Sequence, residues 1–519
     1  MQRYNILWAD DEIDLLKPHI MFLENKGSQI TAVNNGAEAI EKCEEHNFDV
    51  VFLDENMPGM SGLETLNKIK SIRPNLPVIM ITKSEEEHIM EEAIGAKIAD
   101  YLIKPLNPSQ IMLSMKRILE NKRLVTEKTN LGFQQEFANI SMAVNDVLSH
   151  DEWVDIYKKL VFWELEIDET ENKSMAEVLE SQQAEANSNF CRYIMNKYES
   201  WLNDPAADKP LLSHQLMSKK IFPLIDDRPL FFIVIDNLRY DQWKIIEPLI
   251  LEDFVVDAEE MYYSILPTTT AYARNAIFSG LLPAEMEKFH PKLWEGEDSE
   301  KGKNNCEKEF LEHQLNRNSL GNIKYSYQKV IHISEGKALV ESINNLMGNE
   351  LNVIVYNFVD MLSHARTDMA MIRELAPDES AYRSLTRSWF EHSQLLEAIK
   401  IIGAKGGRMV ITTDHGTIRV KRPCKIVGDR NVNANLRYKQ GKNLSYPANK
   451  VMEVPDPAKL HLPRPNLSTS YVFALEDQFF AYPNNYNHYV KYFRDTFQHG
   501  GVSMVEMIVP LITLTSKRR

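Results

Sequence analysis

Short apolar runs that stop on a carboxylate occur at both ends of this 519-residue chain, and they constrain its fold more than any other feature. Val50-Val51-Phe52-Leu53 stops on Asp54, Phe231–Ile235 on Asp236, and Met409–Thr413 on Asp414. A continuous apolar run of this length is the pattern of a strand buried on both faces, as in a parallel sheet covered by helices. In such sheets the ligand-binding residues gather beyond the carboxyl ends of the strands. The acids therefore predict two separate α/β domains, each with a polar site at its strand ends. The chain is too long for one core, and usual domain sizes suggest about three.

Residues 1–118 alternate predicted strands (Asn5–Ala9, Gln29–Val33, Asp49–Leu53, Val78–Thr82, Asp100–Ile103) with amphipathic stretches, a βαβ rhythm. Asp10, Asp11 and Asp54 form an all-oxygen set suited to Mg²⁺, and the backbone carbonyl at Asn56 would complete the shell. Three carboxylates this close repel one another, so the cluster asks for a cation. Asp54 is placed to accept a phosphoryl group, Lys104 before Pro105 to supply a point charge, and Thr82 to supply a hydroxyl. These residues, Tyr101 three positions before the lysine, and the segment Asp-Glu-Asn-Met-Pro-Gly-Met-Ser-Gly from Asp54 to Gly62 resemble the receiver domain of two-component response regulators. The resemblance implies a flavodoxin-like (βα)5 fold, phosphorylation of Asp54 by a sensor histidine kinase, and a switch through Thr82 and Tyr101. A flavodoxin-like domain with incidental acids is the competing reading.

Residues 119–215 nearly lack glycine and proline, and apolar residues recur at helical spacing. Leu131, Phe133, Phe137, Ile140, Val144 and Val147 make one series; Trp153, Ile156, Tyr157 and Leu160 a second; Phe190, Ile194, Tyr198, Trp201 and Leu202 a third. The expectation is a helical bundle between the end domains, either a passive spacer or a signal-transmitting, dimerising element.

Over residues 216–519 the α/β pattern returns. Leu230–Ile235, Asn352–Asn357 and Met409–Thr413 predict central parallel strands, and Ser503–Thr513 an apolar strand pair broken by Pro510. Asp236, Asp360, His364, Asp414, His415 and His499 mix carboxylate with imidazole, a donor set suited to Zn²⁺. Pro267-Thr268-Thr269-Thr270 places three hydroxyls before a helical stretch, where the backbone field favours an alkoxide. In this order, with Phe278-Ser279-Gly280 and His-Gly-Gly-Val-Ser-Met-Val-Glu-Met from His499, these residues resemble the alkaline phosphatase superfamily, most closely its PglZ branch. The resemblance implies Thr270 as nucleophile, with Thr268 and Thr269 as alternatives. It also implies two zinc ions: one held by Asp236, Asp414, His415 and Thr270, the other by Asp360, His364 and His499.

From Lys405 to Lys450 eleven basic residues face only Asp414 and Asp429, a net of +9 in a chain whose formal charge is −15. This stretch reads either as a grip for nucleotides or oligonucleotides, with Tyr438 and Tyr446 stacking bases, or as a solvated or protein-docking loop. The overall acidity and the lack of a reader helix argue against an operator-binding transcription factor. Cys43, Cys191, Cys306 and Cys424 have no paired spacing and read as reduced thiols. No signal peptide or membrane-spanning run is apparent, so the expected location is cytoplasmic. The whole order, receiver, helices and PglZ-like domain, resembles the PorX-type response regulators tied to type IX secretion in Bacteroidota. That resemblance implies a secretion-system component or sigma factor as partner and a homodimer on phosphorylation. Two outputs compete: a zinc-dependent phosphodiesterase, or a zinc-stabilised scaffold working by protein contact.

Overall fold

The computed structural model describes residues 4–73, 76–83, 98–146, 148–170, 172–294, 304–368, 376, 378–429 and 432–518, without the side chains of 120–130 and 364–368. It divides into two compact units, residues 1–136 with 169–171, and residues 137–168 with 172–519.

The first unit is built on five parallel strands, β1 (Asn5–Ala9), β2 (Gln29–Val33), β3 (Val50–Asp54), β4 (Val78–Thr82) and β5 (Asp100–Ile103), in the order β2-β1-β3-β4-β5. Alternate residues of each strand serve opposite faces. Leu7, Ala9, Val51 and Leu53 pack into one apolar cluster, whereas Ile6, Trp8, Val50 and Phe52 pack into the other. Full burial of each such side chain is worth about 1.5–3 kcal/mol, so the sheet is fixed from both sides. The strand order reverses between β1 and β3, the position where doubly wound folds bind their ligands. The helix Gly62–Ile72 that follows β3 is started by a capping box between Ser61 and Glu64.

The middle of the chain forms three helices, Pro108–Ala143, His150–Thr170 and Lys173–Asn203. Gly132 is accommodated inside the first, and Val147 lies outside the described residues. Rather than standing free as a spacer, the helices after residue 137 pack into the second unit. Tyr263 donates from its hydroxyl to the His150 carbonyl (2.8 Å), Leu266 N–H donates to the Tyr198 hydroxyl (2.8 Å), and Trp201 sets its ring edge-on against Tyr263.

The second unit holds a six-stranded sheet: β6 (Leu230–Ile235), β7 (Phe254–Tyr263), β8 (Tyr325–Val330), β9 (Leu351–Tyr356), β10 (Arg408–Thr412) and β18 (Ile508–Ser516), in the order β7-β18-β10-β6-β9-β8. β10, β6, β9 and β8 are parallel, and β18 runs antiparallel between β10 and β7. Smaller sheets join β11 (Ile418–Arg419) to β17 (Phe497–Gln498), β12 (Arg422–Lys425) to β16 (Gln478–Ala481), and β13 (Tyr438–Gly441) and β14 (Val451–Val454) to β15 (Ser470–Ala474). One expectation fails here. Pro510 does not break a strand pair but stands inside β18, opposite Met261, with its carbonyl accepting from the Thr412 hydroxyl at 2.7 Å. Ser503 instead caps a short helix, Met504–Met507.

Candidate functional site

Strand register builds the site of the second unit. In the parallel pairing Thr412 stands opposite Val234, and Ile235 opposite Tyr356, so Asp414, Asp236 and Asn357 emerge at one level from three adjacent strands. Asp236 and Asp414 are almost wholly buried, at 1 % and 0 % exposure. Asp236, Asp414 and His415 bring ligand atoms within 4.8 Å of one another. The His415 ring directs Nδ1 to the Gly416 carbonyl (3.1 Å) and Nε2 to the Thr270 hydroxyl (3.2 Å), with Asp414 and Asp236 at 3.7 and 3.9 Å. Donation from Nδ1 leaves the Nε2 lone pair facing the carboxylates, the tautomer a metal ligand needs.

The threonine run enters as a tight π turn, Thr270–Arg274, followed by the helix Asn275–Ser279. Its three hydroxyls have different fates. Thr268 donates to the Gly501 carbonyl and accepts from Gly500 N–H. Thr269 is buried without a hydrogen-bond partner, whereas Thr270 is partly exposed beside His415. Only Thr270 combines access with a neighbouring imidazole.

The second expected ligand set meets in part. His499 approaches Asp360 with Nε2 (3.7 Å), directs Nδ1 to the Thr268 carbonyl (3.2 Å), and stacks on His415 with ring centres 4.2 Å apart. Asp360 also accepts from the Asn237 side chain. His364 lies one turn beyond Asp360 in the helix Phe358–Asp368, and its side chain is outside the described residues.

Sequence reasoning missed Arg274. Fully buried, it donates from Nη2 to Asp236 (2.5 Å), from Nε to Asp414 (3.2 Å) and from Nη1 to Asn357 (3.0 Å), and Glu307 stands 3.4 Å away. Its spacing of four from Thr270 on a helical stretch was the available signal. Burial pushes the Asp236 carboxyl well up, with Arg274 opposing it. Burial also raises Asp414, but His415 and Arg274 outweigh it and bring that carboxyl down to about 2. Asp236 Oδ1 is buried with no hydrogen-bond partner. A buried, unpartnered carboxylate oxygen beside an imidazole lone pair fits a cation that prefers mixed oxygen and nitrogen donors, as zinc does.

In the first unit Asp10 and Asp54 are buried and Asp11 exposed, with carboxylate oxygens within 4.8 Å of each other. Lys104 bridges Asp10 (2.9 Å) and Asp54 (2.7 Å). Burial raises the Asp54 carboxyl against the opposing pull of Lys104. The all-oxygen cluster fits Mg²⁺. Asn56 contributes its backbone N–H to Asp54 Oδ2 (3.2 Å). Thr82 donates its hydroxyl to Glu55, a residue the sequence reading passed over, and Tyr101 is 38 % exposed.

Part of the basic stretch is engaged in ion pairs. Arg408 pairs with Asp226, Arg419 with Asp495, Lys421 with Glu180, Arg422 with Glu476 and Asp477, and Arg437 with Glu506. Tyr438, expected to stack bases, is fully buried between aromatic neighbours Tyr272, Tyr471 and Phe473. Among the described residues, five of the stretch's eleven basic residues are thus paired with acids distant in sequence, which a local count cannot see.

Residues 216–514 match the family described as the BREX system PglZ alkaline phosphatase-like domain, residues 123–202 the PorX response regulator linker domain, and residues 6–116 the response regulator receiver domain. Over 123 residues the chain is 35% identical to the transcriptional regulatory protein ZraR of Klebsiella oxytoca, a match covering 24% of this chain and 28% of that protein. Over 114 residues it is 36% identical to the transcriptional regulatory protein ResD of Bacillus subtilis (strain 168), covering 22% of this chain and 47% of that one. The matched part is thus less than half the length of either relative. Among solved structures, a CheY-like response regulator receiver domain protein from Methanospirillum hungatei JF-1 aligns at 27% identity and a TM-score of 0.23, covering 23% of this chain and 96% of that one. A receiver domain protein from Clostridium thermocellum aligns at 28% identity and a TM-score of 0.23, with 23% and 98% covered.

Proposed function

Because this chain belongs to the PglZ alkaline phosphatase-like family and carries a response regulator receiver domain, we propose that it is a two-component regulator whose output is zinc-dependent hydrolysis of a phosphodiester. The observation that carries the reading is the accessible Thr270 hydroxyl 3.2 Å from His415 Nε2, beside the unpartnered Oδ1 of Asp236. Asp236, Asp414, His415 and Thr270 would hold one zinc ion, and Asp360, His364 and His499 a second. Zinc bound there would lower the pKa of a coordinated hydroxyl and neutralise charge on the phosphoryl oxygens. Thr270 forms a bond to phosphorus as the bond to the ester oxygen breaks; the threonine hydroxyl gives up its proton to water, and the departing oxygen takes a proton from water. A water molecule then attacks the phosphothreonine, releasing the phosphomonoester and restoring the hydroxyl. Arg274 holds Asp236 and Asp414 in place through both steps.

The receiver implies a sensor histidine kinase as partner and Asp54 as the phosphorylated residue, with Mg²⁺ on Asp10, Asp11 and Asp54. Phosphorylation would reset Thr82, Tyr101 and Lys104 and favour a homodimer. The PorX-type linker supports a cytoplasmic role in the control of type IX secretion, in contact with a secretion component or sigma factor. Nucleotides or oligonucleotides stay the proposed substrates as diesters. Arg274 gives specific support to a second reading. A guanidinium that already compensates both carboxylates would let the domain serve as a zinc-stabilised scaffold with little turnover.

Hydrolysis of bis-p-nitrophenyl phosphate by the zinc-loaded protein, beside Thr270→Val and with p-nitrophenyl phosphate as monoester control, separates the readings. Diesterase activity lost in the variant is the expected result. Equal rates for both proteins would leave the scaffold.

A further inference from the structure

The described residues around the site include a chain of charges that the reaction does not use. It begins on the helix His150–Thr170, outside the phosphatase-like sheet, and its Arg239, Asp241 and Arg383 are buried while Glu164, Asp168 and Glu379 are partly exposed. Glu164 and Asp168 of that helix both accept from Arg383, which is buried. Arg383 also donates to Asp241 Oδ2 at 3.0 Å. Asp241 accepts from Arg239 Nε at 2.9 Å, and Arg239 reaches Glu379 with Nη1 at 2.6 Å. Two arginines are thus held between four carboxylates, and Glu164 and Asp168, the links at one end, belong to the preceding helix.

The far end of the chain touches residues that flank metal ligands. Arg239 is three residues beyond Asp236. Its guanidinium lies over the Phe497 ring at 5.4 Å and the Tyr382 ring at 5.7 Å, and these two rings stack at 4.1 Å. Phe497 opens β17, two residues before His499. Tyr382 donates its hydroxyl to the carbonyl of Val359 at 3.4 Å, the residue before Asp360. A cavity of about 650 Å³, lined by Leu160, Glu164, Arg239, Asp241, Ile418 and Val505 among others, lies beside this chain. The helix therefore has space to shift against its partners.

We propose that the helix His150–Thr170 positions the second metal-binding half of the site: Glu164 and Asp168 hold Arg383, which through Asp241, Arg239 and Phe497 sets the placement of His499 and Asp360. Glu164 and Asp168 are positioning residues, remote from substrate, and the linker that precedes the phosphatase-like domain is part of its apparatus. The inference rests on the hydrolase reading for its consequence and on the charge chain for its geometry. It supplies a route by which a change in the linker helices alters turnover without a new contact to substrate, provided the two arrangements are discrete.

The full-length protein with Glu164→Gln and Asp168→Asn together tests it, because both amides retain hydrogen-bonding oxygens and Arg383 keeps Asp241. Loss of outer support to ligands typically costs about 10–100-fold in metal affinity or activity. We expect kcat on bis-p-nitrophenyl phosphate to fall about tenfold with KM little changed. In titration of the metal-free protein with Co²⁺, followed by its visible absorption, the second equivalent should bind about tenfold more weakly while the first is unaffected. Phe497→Leu should give the same signature, and Asp168→Glu alone, which keeps the carboxylate, should retain wild-type behaviour. Unchanged binding of the second equivalent in both Glu164→Gln/Asp168→Asn and Phe497→Leu would overturn the proposal. If the wild type itself hydrolyses nothing, the hydrolase reading fails separately and the cobalt titration still decides this one.

Discussion

Arg274 shows how a single residue can organise a site while leaving almost no trace in a linear reading. It faces Asp236, Asp414 and Glu307 in a fully buried position. Removing one partner from such an arrangement leaves uncompensated charge, at a cost of about 3–5 kcal/mol. Arg274→Met should therefore lower the unfolding free energy of the metal-free protein, read from urea denaturation, by that order, and added zinc should restore part of the loss. Asp236, Asp414 and His415 were legible because each follows an apolar strand or sits next to a residue that does. Asn357 and Asn237 were not, since asparagine near strand ends is common and only the register makes them neighbours, nor was Glu307, which opens the helix Glu307–Arg317 far from the other two in sequence. A second residue-scale prediction concerns His214. Burial, with smaller contributions from Lys219, His461 and Lys209, pushes its imidazole down to about 4. A histidine whose folded pKa is depressed contributes stability that is complete above the unfolded value near 6.5 and is lost as pH falls towards 4. The loss should reach about 3 kcal/mol, and His214→Asn should flatten the urea midpoint against pH over that window.

At the scale of elements, the loop after β17 sets the last ligand. Gly500 has φ +121°, and a Cβ there would lie 2.9 Å from Asn435 Oδ1 and 3.1 Å from Thr269 Cγ2. Both strain and crowding fall on the residue after His499. Gly500→Ala should cost about 1–3 kcal/mol and reduce diester hydrolysis more than it reduces stability. The measurement is kcat beside the melting temperature. The strands of the first unit were readable to within a residue because each is a continuous apolar run between polar segments. β7 escaped because Asp257, Glu259 and Glu260 interrupt its apolar pattern in a strand that is partly exposed. Pro510 misled for a related reason. Proline is usually confined to strand edges, yet here the bonds that hold β18 tolerate one missing N–H between two long neighbours.

Across the whole molecule, two units with separate candidate cation sites predict two separable responses to metals. Calorimetry should resolve two transitions, one raised by Mg²⁺ and abolished as a response by Asp54→Asn, the other raised by Zn²⁺ and insensitive to that change. At a free metal concentration of about 100 Kd, binding to the folded state alone contributes about 2.7 kcal/mol. A single transition that shifts with either metal would show that the units unfold together. The helices between them were read correctly as helices from their apolar spacing. Their packing into the second unit was not readable, because a helix face shows that it is buried and not against what. The position of β18 has a consequence for synthesis. The strand is inserted between β7 and β10, so the six-stranded sheet is divided until residue 516 has left the ribosome, whereas every strand of the receiver is available by residue 103. At about 5–20 residues per second, the nascent chain carries all five receiver strands for tens of seconds before the sheet of the second unit can be completed. If the receiver takes phosphate as proposed, a chain cut short between the receiver and β18 would still compete for the kinase without a completed second unit, acting as a dominant sink for the signal.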